Sequence, residues 1–122
     1  MKDPANPVCQ TISALLQRIG DKWSVLVVTT LADGSKRFNE LRREIPSVSQ
    51  RMLTLTLRNL ERDGIVSRVV TPSIPLRVDY ALTDLGRSLH RPVRALSEWA
   101  LDNVEAIHDA QARFDAERAE AA

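Results

Sequence analysis

The feature that most constrains this chain is its punctuation between residues 37 and 80. Ile45-Pro46 must end any helix running into it, because the residue before a proline disfavours helical backbone. Gly64 offers a left-handed stop after the next helical run. Pro72 and Pro75 bracket a tip that blocks edge-to-edge strand pairing. Between these marks the apolar period changes. Phe38, Leu41 and Ile45 recur at helical spacing, as do Leu53, Leu57 and Leu60, whereas residues 65–70 and 77–82 are rich in strand-forming side chains. The order is a short helix, a corner, a second helix and then a hairpin.

That order predicts a mainly α fold with a small β-hairpin wing, the winged form of the helix-turn-helix. The flanking segments are also helical. Asn6 and Pro7 form a start signal, and Val8, Ile12, Leu15, Leu16 and Ile19 carry a first helix to a stop near Gly20. Asp21 can cap a second, whose Trp23, Val27, Thr30 and Leu31 form an apolar face that Leu26 and Val28 widen; so broad a face is expected at the centre of the core. Ser47 and Ser49 are alternative cap candidates for the helix after the corner, and Ser47 with Gln50 fits a capping box. Thr83 or Asp84 opens a last helix that Pro92 must kink or interrupt. Beyond it Val93, Leu96, Ala100, Asn103, Ile107, Ala110 and Phe114 recur in steps of three and four, a coiled-coil seam diluted by Ala and Asn.

The net charge of +1 conceals a segregation. Residues 36–77 hold nine basic side chains against Glu40, Glu44, Glu61 and Asp63, so this stretch attracts polyanions. From residue 98 onward seven acidic side chains outweigh Arg113 and Arg118. The basic stretch contains the second helix of the motif, whose faces follow from advancing ~100° per residue. Leu53, Thr56, Leu57 and Leu60 fall on the core side; Arg51, Thr54, Leu55, Arg58 and Arg62 fall opposite. Arginine can donate two hydrogen bonds to guanine, and Ser, Thr and Gln can reach base edges or phosphates. Residues near the start of a recognition helix enter the major groove deepest, which makes Ser49, Gln50, Arg51 and Thr54 the base-edge candidates. Arg58 and Arg62 lie further along and suit phosphates. Leu55 either touches a thymine methyl or packs on a neighbouring element. In the hairpin, Arg68 and Arg77 flank the tip, where an arginine can enter a narrow minor groove or hold a phosphate.

Other functions find little support. No run approaches the ~18 apolar residues of a membrane span. The first residues lack the apolar segment of a signal peptide, so a cytoplasmic location is expected. The single cysteine, Cys9, cannot form an intramolecular disulfide. His90 and His108 have no metal-site spacing, and neither a phosphate loop nor a nucleophile elbow appears, so no enzyme and no cofactor is expected. The competing class is a winged-helix domain used for protein docking without specific DNA binding.

Four blocks carry a resemblance: Gly20-Asp21-Lys22-Trp23, Arg37-Phe38-Asn39-Glu40-Leu41, Leu57-Arg58-Asn59-Leu60-Glu61-Arg62-Asp63-Gly64, and Val78-Asp79-Tyr80-Ala81-Leu82-Thr83-Asp84-Leu85-Gly86. In this order they resemble the HxlR-type bacterial transcription regulators, winged-helix relatives of the MarR regulators. The resemblance implies a sequence-specific regulator that binds a pseudo-palindromic operator in double-stranded DNA as a homodimer held by its first and last helices. It divides the chain into a dimerisation helix over residues 1–20, a winged core over 21–82, a second dimerisation helix over 83–117 and a frayed tail over 118–122. Ile12, Leu16, Leu96, Trp99 and Ile107 are the expected dimer contacts. Several members sense oxidants or electrophiles through a cysteine near the N-terminus. Aligned on Trp23, that cysteine would fall where Gln10 stands and would precede a proline; Cys9 is one position earlier and does not. Cys9 therefore stands between a sensor in the first turn of a helix and a small hydrophobe in the packing. A small-molecule effector, as in the related MarR regulators, is left open.

Overall fold

The computed structural model describes residues 5–121; the expectations that fall on residues 1–4 and 122 lie outside it. The order of elements is α1 (Pro7–Ile19), α2 (Lys22–Leu31), α3 (Phe38–Glu44), α4 (Gln50–Arg62), β1 (Val66–Thr71), β2 (Arg77–Leu82) and α5 (Asp84–Ala121). This is the winged helix-turn-helix that the punctuation predicts. Two compact units divide the chain at residues 90 and 91, inside α5.

In the first unit, each helix starts where a side chain satisfies an orphan amide. The Asn6 oxygen accepts from the Val8 amide at 2.8 Å, Asp21 from Ser24 at 3.2 Å and Ser49 from Met52 at 3.0 Å. Ser49, not Ser47, is thus the cap of α4, because only Ser49 stands one residue before the first helical position. The Ser47–Gln50 capping box does not form; at α3 Glu40 supplies half of one, its carboxylate accepting from the Arg37 amide at 3.0 Å, while the Arg37 side chain has no acceptor to complete it. At the other end of α4, Gly64 takes φ +77°, its amide donates to Glu61 and the Ile65 amide to Leu60. That 6→1 bond turns the chain out of the helix and straight into the hairpin.

The core gathers Val27, Val28 and Leu31 of α2, Leu41 of α3, Leu53, Leu57 and Leu60 of α4, and Ile45, Val48, Ile65, Val66 and Leu82 from the connections and the wing. Leu26 was expected to widen the apolar face of α2 and does not: it is 40% exposed, and Ser24 is buried instead. The neighbours of α2 cover one side of it, and Leu26 lies off that side. Strand β1 pairs antiparallel with β2 in the register Val66↔Leu82, Arg68↔Tyr80, Thr71↔Arg77. Lys36 adds a bridge that the sequence does not announce, exchanging two 2.9 Å backbone hydrogen bonds with Tyr80. The turn before α3 is thereby stitched to the wing.

The wing is also tied to the end of α4. Thr83 accepts from the Gly86 amide at 3.1 Å, capping α5, while its own amide donates to the Ile65 carbonyl at 3.0 Å. Gly86 is buried here, and a Cβ on it would run into that same Ile65 carbonyl. Arg18 holds Asp63, the C-cap of α4, with two bonds of 2.9 and 3.0 Å.

The second unit is the continuation of α5. Pro92 does not interrupt the helix, which stays unbroken from Asp84 to Ala121. A proline removes only one backbone donor, and the Leu-, Ala- and Arg-rich turns on either side retain theirs. The tail also departs from expectation, being helical through residues 118–121 rather than frayed. Ala and Glu are strong helix formers, and the Arg118 guanidinium lies 5.1 Å from the Phe114 ring, one turn away. Leu96, Trp99, Leu101 and Phe114 are all exposed along this segment.

Candidate nucleic-acid interface

Burial of Leu53, Thr56, Leu57 and Leu60 sets the rotation of α4 and forces its other face outward. On that face Gln50, Arg51, Thr54, Leu55 and Arg58 line one shallow hollow, as their spacing predicts. Leu55 is 49% exposed, so an apolar side chain stands among the polar ones. Met52, absent from the expected set, is exposed near the same end.

Hydrogen bonds sharpen what each side chain can do. The Thr54 hydroxyl donates to the Gln50 carbonyl at 2.8 Å, so toward a base it can only accept, which suits the amino groups of adenine or cytosine. The Ser49 oxygen accepts from Met52, which leaves its O–H to donate outward, as to a phosphate. Among the described residues, none of Arg51, Arg58, Arg62 and Arg68 takes part in an ion pair. Four guanidinium groups with unused donors are therefore presented to solvent.

The wing divides the two arginines that sequence places together. Arg68 stands opposite Tyr80 in the register and shares the face of the hairpin that carries Val66 and Leu82 to the core. It joins Thr54, Leu57, Arg58, Glu61 and Tyr80 around a hollow between α4 and the strands. Arg58 and Arg68 are thus brought to one place across ten residues of sequence. Arg77 lies on the other face of the hairpin, because strand side chains alternate. There its Nε donates to Asp79 at 2.9 Å and its Nη2 at 3.4 Å. The hydrogen-bonded Asp79 carboxylate raises the Arg77 pKa above its already high ordinary value, so the guanidinium is permanently charged but engaged. Arg62 is exposed and lines neither hollow. Tyr80, Glu61 and Asp79 were missed from sequence. Asp79 was within reach, since it follows Arg77 by two on a strand; Tyr80 needed the register.

The remaining named residues are placed as follows. No residue of α1 is buried: Leu16 is exposed and Ile12 and Cys9 are half-buried. In α5, Leu96, Trp99 and Ile107 are exposed, and Asn103 spends its amide on the Trp99 carbonyl at 2.8 Å. Among the described residues no three of His, Cys, Asp or Glu are grouped to hold a metal ion, and no helix is long and apolar enough to cross a membrane.

Comparison with known proteins identifies the family of this fold. Residues 18–108 match the HxlR-like helix-turn-helix family. The HTH-type transcriptional regulator YybR of Bacillus subtilis is 48% identical over 92 residues, which cover 75% of this chain and 74% of YybR. The solved structure of the redox regulator HypR in its reduced form superposes with a TM-score of 0.75 at 44% identity, covering 81% of this chain and 98% of HypR. Diamide-treated YodB from B. subtilis superposes with a TM-score of 0.69 at 35% identity, over 80% of this chain and 96% of YodB.

Proposed function

Because the chain belongs to the HxlR-like helix-turn-helix family and is a transcriptional regulator of that kind, we propose that it binds a pseudo-palindromic operator as a homodimer. It acts in the cytoplasm by occupying duplex DNA, not by catalysis. The observation that carries this reading is the outward face of α4, where Arg51 and Arg58 take part in no ion pair among the described residues and Arg68 of the wing joins Arg58 across a hollow. Helix α4 enters the major groove. Gln50, Arg51 and Thr54 face base edges, Leu55 a thymine methyl, and Ser49, Arg58, Arg62 and Arg68 the phosphates. Arg77 reaches the duplex only by exchanging Asp79 for it.

Dimerisation rests on the exposed apolar residues of α1 and α5. Val8 and Leu16 of α1, and Leu96, Trp99 and Leu101 of α5, are each more than half exposed, and apolar side chains so exposed favour a partner that covers them. Two copies give two recognition helices, and the spacing between them selects the operator.

Footprinting on genomic fragments with the purified protein, followed by binding at increasing salt, tests the proposal. A protected two-fold site and a steep loss of affinity with salt are expected. Complete absence of binding to any duplex at low salt would leave protein docking as the role of the fold. Arg51→Ala should cost ~1–3 kcal/mol at one operator position if it reads guanine. Equal losses on every operator variant would make it a phosphate ligand.

A redox response through Cys9 is favoured by the likeness to HypR, which is described as a redox regulator. Operator binding before and after diamide, with Cys9→Ser as control, decides it. An effect that survives in the serine variant excludes Cys9.

A further inference from the structure

The end of the wing carries no charge: Thr71, Pro72, Ser73, Ile74, Pro75 and Leu76 are all uncharged. The two wing arginines are occupied elsewhere. Arg68 shares a hollow with Arg58, and Arg77 is bonded to Asp79. What the tip presents is Ile74, which at 103% exposure is as open to solvent as in a free peptide. Leu76 is also exposed but lines a hollow against α3 with Val78, which leaves Ile74 as the side chain that projects. We propose that Ile74 is an apolar wedge that enters the minor groove beside the recognition helix and unstacks a flexible base step, bending the operator. The wedge rests on the DNA binding proposed above and adds a position at which sequence is read.

A wedge must be stiff, within reach and matched to its partner. Pro72 and Pro75 fix the backbone on either side of Ser73 and Ile74. The Ser73 hydroxyl donates to the Pro75 carbonyl at 2.8 Å, with the Thr71 carbonyl 3.4 Å away, so the tip is closed on itself. The branched β-carbon of isoleucine restricts its own rotation. Beneath the tip, β1 and β2 stay paired out to Thr71↔Arg77, and the Lys36 bridge braces β2. Little conformational freedom is left to lose on insertion. From Arg68 to Thr71 the strand advances ~10 Å at ~3.3 Å per residue, enough to pass from a phosphate held by Arg58 and Arg68 into the adjoining minor groove, ~6 Å wide. The partner follows from charge. The uncharged tip is set in the strongly basic stretch 36–77, which draws in polyanions. A duplex meets an apolar side chain with the faces of its bases, uncovered when a step is partly unstacked. Pyrimidine–purine steps open at the least cost.

A pool of random-sequence duplexes, selected with the full chain and separately with Ile74→Ala, tests the wedge. The bend of the selected duplexes is read by energy transfer between dyes at their ends. Wild type should enrich a pyrimidine–purine step at a fixed distance outside each half-site and bend the duplex by at least about 20° at each step. Ile74→Ala should select the same half-sites but lose the flanking preference and most of the bend. It should bind the wild-type duplex about tenfold more weakly, the gain from burying the side chain being partly offset by unstacking. The salt slope should stay unchanged, because no charge is removed. Ile74 touches no core residue that the substitution could disturb, and equal thermal melts check this. Identical flanking steps and equal bends in both proteins overturn the wedge, leave DNA binding standing and free Ile74 for a protein partner. Selection of no sequence by either protein ends the wedge and the DNA binding together. A flattened salt slope in Ile74→Ala also overturns it, making the tip a support for phosphate contacts.

Discussion

Arg58→Gln is the substitution on which the interface reading depends most. Arg58 lines both the hollow on the outer face of α4 and the one shared with Arg68 and Glu61, and among the described residues it takes part in no ion pair. If Arg58, Arg62 and Arg68 each hold a phosphate, as proposed, a protomer makes three such contacts and a dimer six. Each displaced counterion contributes about 0.9 to the slope of log affinity against log salt, so the slope should be about −5. From roughly 50 to 200 mM salt the wild-type affinity should then fall about 2,000-fold. Arg58→Gln removes two contacts from the dimer, which flattens the slope by about 2 and reduces the fall to about 150-fold. Fluorescence anisotropy on operator and on random duplex, at four or more salt concentrations, reads this directly. Arg113→Gln, in the acidic end of α5, is the control and should leave the slope unchanged. An unaltered slope in Arg58→Gln refutes the phosphate assignment. So does a loss seen on the operator but not on random duplex, which would make Arg58 a base reader.

Three further outcomes are expected. Asp79→Asn releases Arg77 from its ion pair and should steepen the salt slope by about 1 per wing, measured by the same anisotropy series; an unchanged slope means that Arg77 never reaches the duplex. Gly86→Ala drives a Cβ into the Ile65 carbonyl, which the Thr83 amide already holds, and should cost ~1–3 kcal/mol; a thermal melt matching wild type would contradict the packing described at that corner. Leu96→Glu places a charge in the proposed α5 seam and should shift sedimentation toward the monomer, whereas an intact dimer would move the interface elsewhere.

Much of α4 was legible because its signals are local. Ser49 and Gly64 mark its ends by chemistry that needs only a few neighbouring amides. The period of Leu53, Leu57 and Leu60 fixes which side is buried, and therefore which arginines face out. Of the two outcomes expected at Pro92, interruption does not occur, since a long helix tolerates one missing donor, and the tail is helical without tertiary cover where Ala and Glu dominate. Leu26 was misread because an apolar residue on a helix says nothing about which neighbours arrive to cover it.

By itself, then, the sequence determined the elements and the outward face of α4, consequences of interactions within a few residues or a fixed helical period. Tertiary structure decided which side chains meet. Hairpin register alone puts Arg68 across from Tyr80 and beside Arg58, and strand pleating turns Arg77 to the other face, against Asp79. The Lys36–Tyr80 bridge and the fit of Gly86 against Ile65 are of the same kind. Each joins segments far apart in sequence, and such contacts are chosen by the packing of the whole unit, which no short window of residues encodes.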